Sequence, residues 1–307
     1  MRFVCPHCNA ITEVSPEFMG MVGECYQCGA TIETPVDGTA PSSNERAKSV
    51  AQPSKKRYMP LGIAILLVLG LVTTVYTFFR AGAATMRSLS DARLLGDTQR
   101  ELAQIAEALR NYEADYGSLP PAVTRDDTGK AMHSWRVLLL PYLGEQGIYD
   151  AYDLDLPWDD QKNLDAMQWN MPAVYRHPGD ANSNGWSDIK TPGYSLISGN
   201  GTLFPASGGL SFNQVTDPAE QTILVVESKI FTPLKSWTEP FDVDFGKMRG
   251  TLRNSVGNEI GGYVEGQAVV ATIDGRVHIL DQRHSSQTVL ALITPNGGER
   301  LADDTLD

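Results

Sequence analysis

Two very different apolar patterns follow one another along the chain. Residues 61–79 (LGIAILLVLGLVTTVYTFF) form one uncharged and mostly apolar run. A helix of that length spans roughly 28 Å, about the hydrocarbon thickness of a bilayer. The first pattern therefore predicts one transmembrane helix over residues 60–80.

Beyond this segment, apolar residues recur at helical spacing. They are three or four positions apart and so share one helix face: Leu102, Ile105, Leu109, Tyr112 and Tyr116. Thr98 and Glu101 form a capping-box pattern, which predicts a helix start at Thr98. Gly117 suits the C′ position, and Pro120-Pro121 ends the helix. Residues 81–95 are also compatible with a helix, so the membrane helix is expected to extend outward until Gly96 interrupts it.

The rest of the chain favours short elements. Residues 134–143 (SWRVLLLPYL) predict a short apolar helix or turn, and residues 222–227 (TILVVE) predict a buried strand. Residues 268–273 and 276–280 flank Asp274-Gly275, the signal of a hairpin with a two-residue type I′ turn. Ser285 or Ser286 caps a last helix over residues 289–293. A helix followed by hairpins is typical of an α+β fold, with the helix on an antiparallel sheet.

Four cysteines form a metal-binding pattern near the amino terminus. Cys5 and Cys8, then Cys25 and Cys28, make two CxxC pairs, with positions 9–24 as the spacer between them. Structural Zn²⁺ sites commonly use four cysteine thiolates arranged in a tetrahedron. A redox or disulfide role is the alternative, but a thioredoxin-like site needs a βαβ unit, which so short a segment cannot hold. The pattern predicts a zinc ribbon over residues 1–36, with His7 facing solvent, and a flexible linker over residues 37–59.

The distribution of charged residues also distinguishes the amino-terminal segment from the rest of the chain. Positions 1–59 hold six basic and six acidic groups, so the net charge of −12 falls on residues 80–307, with 19 basic and 31 acidic side chains. An acidic surface repels phosphate backbones, which argues against nucleic acid as a partner. The ribbon has Arg2 against four glutamates, so a protein partner or a purely structural role is expected there.

The basic residues also predict an orientation in the membrane. Lys55, Lys56 and Arg57 crowd the amino-terminal edge of the predicted span, whereas arginines beyond the other edge are widely spaced. The positive-inside rule then places the amino terminus in the cytoplasm and residues 81–307 on the periplasmic, or extracytoplasmic, side of the inner membrane. No cysteine follows Cys28 in the sequence, which agrees with a reducing compartment for the ribbon alone.

A weaker motif predicts a calcium site. Asp180, Asn182, Asn184 and Asp188 place oxygen donors at positions 1, 3, 5 and 9 of a calcium-type loop, and Gly185 stands at position 6. Thr191 at position 12 cannot supply the bidentate carboxylate, so an ordinary surface loop is the alternative. The histidines are scattered, and Ser228 lacks a Gly-x-Ser-x-Gly elbow. The sequence therefore assigns no catalytic residue and predicts no enzyme.

Several stretches resemble a large planctomycete family of pilin-like envelope proteins, domain of unknown function 1559. They lie within residues 92–301: residues 102–121 (LAQIAEALRNYEADYGSLPP), 134–143, Pro157–Asp159, Trp237–Pro240, Asp274-Gly275, and Leu290–Thr294 with Gly297-Gly298. The resemblance implies a pilin-like fold, in which a long amino-terminal helix lies on an antiparallel sheet, exported across the inner membrane. It implies no reaction.

The chain departs from that family in two ways. Thr98 and His177 stand where family members often carry cysteines, and the resemblance implies that those cysteines bond to each other. The usual prepilin processing site before the membrane helix is also missing, since Met59-Pro60-Leu61 stands there. The amino terminus is therefore expected to be retained.

Three functions remain open. In the first, the chain is a structural or surface-interaction protein of the cell envelope that associates with itself or with other envelope components. Alternatively, it is a transmembrane adaptor or sensor that couples an exported binding domain to the cytosolic ribbon. The third reading is a cryptic hydrolase or carbohydrate-binding protein.

Overall fold

The computed structural model describes residues 2–36, 61–167, 170–182, 191–229, 236–253, 257–302 and 304–306, in two units, Met1–Gly70 and Leu71–Asp307. The predicted linker, residues 37–59, lies outside the described residues. The helices are α1 (Leu61–Tyr116), α2 (Trp135–Leu138), α3 (Gln146–Ala151), α4 (Gln161–Met167) and α5 (Ser286–Ala291). The strands are β1 (Arg2–Val4), β2 (Ile11–Glu13), β3 (Val22–Glu24), β4 (Thr31–Glu33), β5 (Val123–Arg125), β6 (Ala131–Ser134), β7 (Tyr194–Ser195), β8 (Ile197–Ser198), β9 (Ile223–Glu227), β10 (Val243–Asp244), β11 (Gln267–Thr272) and β12 (Val277–Asp281).

The cysteine module, residues 2–36, is a tandem repeat of one β-hairpin. β1 pairs with β2, and β3 pairs with β4, both antiparallel. The two registers correspond, because Arg2 faces Glu13 in the first hairpin as Val22 faces Glu33 in the second. Each hairpin carries one CxxC pair in its loop, so the repeat supplies two equivalent halves of one site.

Helix α1 is one continuous helix of 56 residues, which corrects the predicted helix boundary. Thr98 does not cap a helix start but lies inside α1 with its side chain buried, and Gly96 does not interrupt the helix. Most of residues 81–97 are good helix formers (Ala, Leu, Met and Arg), and the helix continues through Gly96. The N–H of Thr98 and of its neighbours is therefore satisfied by the preceding turn and needs no cap. The predicted end is confirmed: Gly117 follows the helix with φ of 74°, and its N–H donates to the Glu113 carbonyl at 2.7 Å.

The predicted membrane span falls in part outside the described residues, which exclude Pro60 and the side chains of Leu61, residues 63–65, Leu67 and Val68. Within the described part of the chain, no helix has a stretch both long and apolar enough to cross a bilayer.

The larger unit is built on a four-stranded sheet, which confirms the predicted mixed helix and antiparallel sheet class. The strand order is β12-β11-β9-β7, and all neighbours are antiparallel. One face packs in a helix-side core with α1, through Leu102, Ile105 and Leu109. The other face packs in an outer core with Val289 of α5 and with Leu292 and Ile293 after it. Both faces are therefore covered, which explains why residues 223–227 are all buried.

The hairpin of β11 and β12 forms as predicted, but its turn differs. The N–H of Thr272 donates to the Arg276 carbonyl at 3.0 Å, and the N–H of Gly275 donates to the Thr272 carbonyl at 2.9 Å. Gly275 has φ of 89°, whereas Asp274 does not have positive φ. A type I′ turn requires positive φ at both central residues, so this is the three-residue turn with a glycine bulge. Asp274 favours it because its Oδ1 accepts from the Thr272 hydroxyl and from the Arg276 N–H.

A buried ion pair joins three segments of the larger unit. The guanidinium of Arg136 donates to Asp242 Oδ1 at 3.2 Å and to the Tyr194 carbonyl at 2.7 Å. Asp242 Oδ1 also accepts from the Trp135 indole and from the Leu196 N–H, both at 3.0 Å. The side chains of Arg136 and Asp242 are only 1% and 2% exposed, so their charges are withdrawn from water. Burial raises the pKa of Asp242, whereas Arg136 and the donated hydrogen bonds oppose that rise.

Replacing Arg136 by Met is expected to lower the free energy of unfolding by about 3–5 kcal/mol, because it leaves the Asp242 carboxylate buried without its partner. Urea unfolding followed by tryptophan fluorescence measures the change. Arg276→Met is the matched control, since Arg276 pairs with Asp274 at 3.2 Å but is 72% exposed, and such pairs contribute about 0–1 kcal/mol. Equal losses in the two variants would contradict a central role for the buried pair.

Candidate metal centre and buried polar cluster

Each CxxC pair of the cysteine module lies in a tight knuckle closed by backbone hydrogen bonds. The N–H of Cys5 donates to the Ala10 carbonyl at 2.9 Å, and the N–H of Cys25 donates to the Ala30 carbonyl at 2.8 Å. The residue after each second cysteine is left-handed, with φ of 60° at Asn9 and 69° at Gly29. Asn and Gly are the residues that adopt this conformation most easily. The two knuckles therefore present their sulfurs in the same way.

The four sulfur atoms converge on one point. The Sγ atoms of Cys5 and Cys28 are 3.9 Å apart, those of Cys8 and Cys25 are 3.7 Å apart, and all four lie within 4.8 Å of one another. Zn–S bonds of about 2.3 Å in a regular tetrahedron place sulfurs roughly 3.8 Å apart. The predicted ligands are thus brought together at a spacing that can hold a metal ion, and His7 is exposed, as expected.

Backbone amides and neighbouring sulfurs bias the ionisation of the thiols. The N–H groups of Gln27 and Cys28 stabilise the Cys25 thiolate and lower its pKa to about 6. The N–H of Ala10 favours the Cys8 thiolate, but the Cys28 sulfur and desolvation outweigh it and raise the pKa of Cys8 to about 12. A second negative charge in the cluster is therefore costly without a cation. A divalent metal would remove that cost and displace the remaining thiol protons.

The candidate calcium ligands are described only in part. Asn184 and Asp188 lie outside the described residues, as does the side chain of Asn182. Asp180 belongs to a 3₁₀ turn, and its Oδ1 accepts a short hydrogen bond from the hydroxyl of Tyr263. One carboxylate oxygen of Asp180 thus has a protein partner, and calcium binding stays a prediction.

A buried polar cluster surrounds His177, a residue to which the sequence assigned no site of its own. Its Nδ1 accepts from the Gly179 N–H at 2.9 Å, so the ring carries its proton on Nε2, 2.7 Å from Glu227 Oε1. Glu227 also accepts from the N–H groups of Tyr263 and Val269. The Tyr263 ring stacks on the imidazole with centroids 3.8 Å apart. The side chains of His177 and Glu227 are 0% and 3% exposed, so the cluster lies inside the fold.

The same histidine contacts α1. Thr98 Oγ1 lies 3.2 Å from His177 Nε2. The two positions at which the family resemblance implied a bonded cysteine pair are thus in direct contact here. In a nucleophile–histidine–acid triad, the acid and the nucleophile bind opposite ring nitrogens. Thr98 and Glu227 share one nitrogen, so this cluster has the geometry of a cross-link between α1 and the sheet.

A second polar link joins α1 to β7. The hydroxyl of Tyr194 donates to Glu101 Oε2 at 2.5 Å. Burial raises the pKa of Glu101 to about 7, and nearby Asp97 adds to the rise, whereas the Tyr194 hydrogen bond and Arg100 oppose it. The sequence pattern places Glu101 in a capping box, whereas in the structure its side-chain partner is Tyr194, far along the chain.

A cysteine module that can hold a metal ion thus precedes a mixed helix and sheet domain with an antiparallel sheet. Residues 97–287, more than half of the chain, match the model of a family described as a protein of unknown function, DUF1559, and the chain belongs to this family. No curated protein and no solved structure matches the chain.

The full chain is expected to carry one zinc ion, and Cys25→Ser is expected to lose it. Structural zinc sites supply about 10–16 kcal/mol of apparent folding free energy, so the variant should also lose protection of its module from hydrogen exchange. Elemental analysis of the purified chain measures the metal. His7→Ala is the matched control, because it alters the same knuckle without removing a sulfur. Loss of zinc in both variants, or a wild-type chain without stoichiometric metal, would contradict the assignment.

Stability of the larger unit is expected to fall as the pH rises from about 4.5 to about 7. Glu101 ionises near its ordinary pKa of 4.5 in the unfolded chain but near 7 in the folded protein. Between these values the unfolded state binds fewer protons, so ionisation favours unfolding. Glu101→Gln should flatten this dependence of the unfolding midpoint, and Glu107→Gln, exposed on the same helix, should not. Identical pH profiles for the two variants would contradict the prediction.

Proposed function

We propose that the chain is a non-catalytic, single-pass envelope protein with a pilin-like structural or surface-interaction role. The supporting observation is the division of α1. Its carboxyl-terminal part buries Leu102, Ile105 and Leu109 in the helix-side core, whereas Val72 and Phe78 are 57% and 78% exposed. Exposed apolar side chains that follow one another along a helix, as they do here between Leu69 and Phe79, are typical of a membrane or protein interaction site. A bilayer around residues 60–80 would cover these side chains. Self-association along the helix would cover them as well, and it is part of the same proposal.

The same proposal assigns an orientation. The Lys55, Lys56 and Arg57 cluster keeps the cysteine module in the cytoplasm, where its thiolates stay reduced and bind Zn²⁺. The larger unit is exported and, because its sequence contains no cysteine, folds without disulfides. Buried polar contacts, such as that between Thr98 and His177, stand in place of the cysteine bond that the family resemblance implied at these two positions.

An adaptor or sensor function is the second candidate, and exposed apolar residues of the cysteine module favour it. Phe18, Met21, Tyr26 and Val36 are between 52% and 75% exposed, which is a large apolar surface for so small a module. Aromatic and methionine side chains are enriched where proteins bind one another. Binding of a cytosolic protein by the wild-type full chain but not by a Phe18→Ser, Tyr26→Ser variant would favour this candidate over a purely structural role.

Protease added outside the inner membrane is expected to digest residues 81–307 and to leave residues 1–57 intact, because the basic cluster is costly to translocate. Immunoblotting with tags at the two ends measures the products. Replacement of Lys55, Lys56 and Arg57 by glutamate should reduce the protected fraction, and detergent lysis should abolish the protection. Protection of the larger unit instead would reverse the proposed orientation.

A further inference from the structure

A basic cleft interrupts the acidic character of the larger unit. It has a volume of about 300 Å³ and is lined by Lys247, Arg249, Arg253, Asn258 and Glu259. Residues 80–307 hold 31 acidic against 19 basic side chains, so three cations at one small cleft stand against the overall charge. Such a local reversal of potential concentrates anions at one place on a surface that otherwise repels them.

The acidic groups at this cleft are already engaged. Glu259 is 7% exposed, and its two carboxylate oxygens accept from the backbone N–H groups of Arg249 at 2.8 Å and Thr251 at 3.3 Å. Asp244 pairs with Lys247 at 2.7 Å. The guanidiniums of Arg249 and Arg253 are on exposed residues, and among the described residues neither forms an ion pair. Glu259 therefore holds the backbone and leaves the guanidinium groups of Arg249 and Arg253 available to a ligand.

Hydrogen bonds hold the backbone of the cleft in place. The side chain of Asn258 accepts from the Asp244 N–H and donates to the Asp244 carbonyl, both at 2.7 Å. The N–H of Arg253 donates to the Ile260 carbonyl at 3.0 Å. Gly250 has φ of 72°, and any side chain there would collide with the Ser286 carbonyl oxygen. The chain that carries the cations is thus ordered before a ligand arrives, which lowers the entropic cost of binding.

The chemistry of these cations selects one kind of group. A guanidinium presents paired N–H donors that match two oxygens of a sulfate, phosphate or carboxylate, and an ammonium adds a compact charge. A volume of about 300 Å³ is at the lower end for ligand sites and fits one such group rather than a large apolar molecule. We propose that the basic cleft binds an oxyanion group of a ligand through the guanidinium groups of Arg249 and Arg253.

Calorimetric titration of the full chain in non-ionic detergent tests the proposal. Sodium sulfate, sodium phosphate and sodium glucuronate serve as three separate probes, at constant ionic strength set with chloride. The double variant Arg249→Gln, Arg253→Gln removes both guanidinium groups. Variant Arg276→Gln, Arg283→Gln is the matched control, because it removes the same charge from two exposed arginines outside the cleft, each paired with its own aspartate.

At least one probe should bind saturably to the wild type and to the control. Its affinity for the cleft variant should be roughly tenfold to a hundredfold weaker, since charged hydrogen bonds contribute about 1.5–3 kcal/mol. The preferred probe then separates a tetrahedral anion from a carboxylate. Single Arg253→Gln should show a smaller loss, and circular dichroism should show that each variant is folded. Equal affinity in the cleft and control variants, or no saturable binding of any probe, would overturn the proposal.

Discussion

The pairing of Arg136 with Asp242 fixes how the parts of the larger unit meet. Arg136 donates to the Tyr194 carbonyl, and Asp242 accepts from the Leu196 N–H, so the pair holds the chain on both sides of Ser195. Strand β7 is thereby set against β9, which lies between the helix-side core and the outer core. A charge withdrawn from water must be paired and hydrogen-bonded, so other arrangements of these segments are strongly disfavoured.

The sequence predicted the features that depend on local chemistry. The CxxC spacing indicated four sulfurs as the candidate metal ligands, and the structure brings these sulfurs together. The run at residues 222–227 had no polar face to expose, so it predicted a buried strand. The hairpin at Asp274-Gly275 was predicted as a hairpin, but the type of turn depends on contacts of the Asp274 side chain that a two-residue motif does not specify. The glycine alone has positive φ.

The long-range polar contacts could not be predicted in the same way. Thr98 and Glu101 matched a capping box in spacing, yet each has its side-chain partner far along the chain, at His177 and Tyr194. Arg136 stands in an apolar run, which signals a charge that must be paired, but its partner, Asp242, is just as distant in sequence. Only the family resemblance connected Thr98 with His177, because it implied a bonded cysteine pair at these positions. Local spacing contains no information on such partners.

The polar links of α1 lie where its apolar residues change from exposed to buried. Leu89 is 63% exposed, whereas Leu102 is fully buried, and Thr98 and Glu101 stand between them. These two residues bind the turn at His177 and strand β7, and β7 is held in turn by Arg136. A helix anchored in a membrane would therefore pull on the sheet through hydrogen-bonded side chains as well as through apolar packing. In the proposed envelope role, these hydrogen-bonded contacts would connect α1 to the sheet without a disulfide.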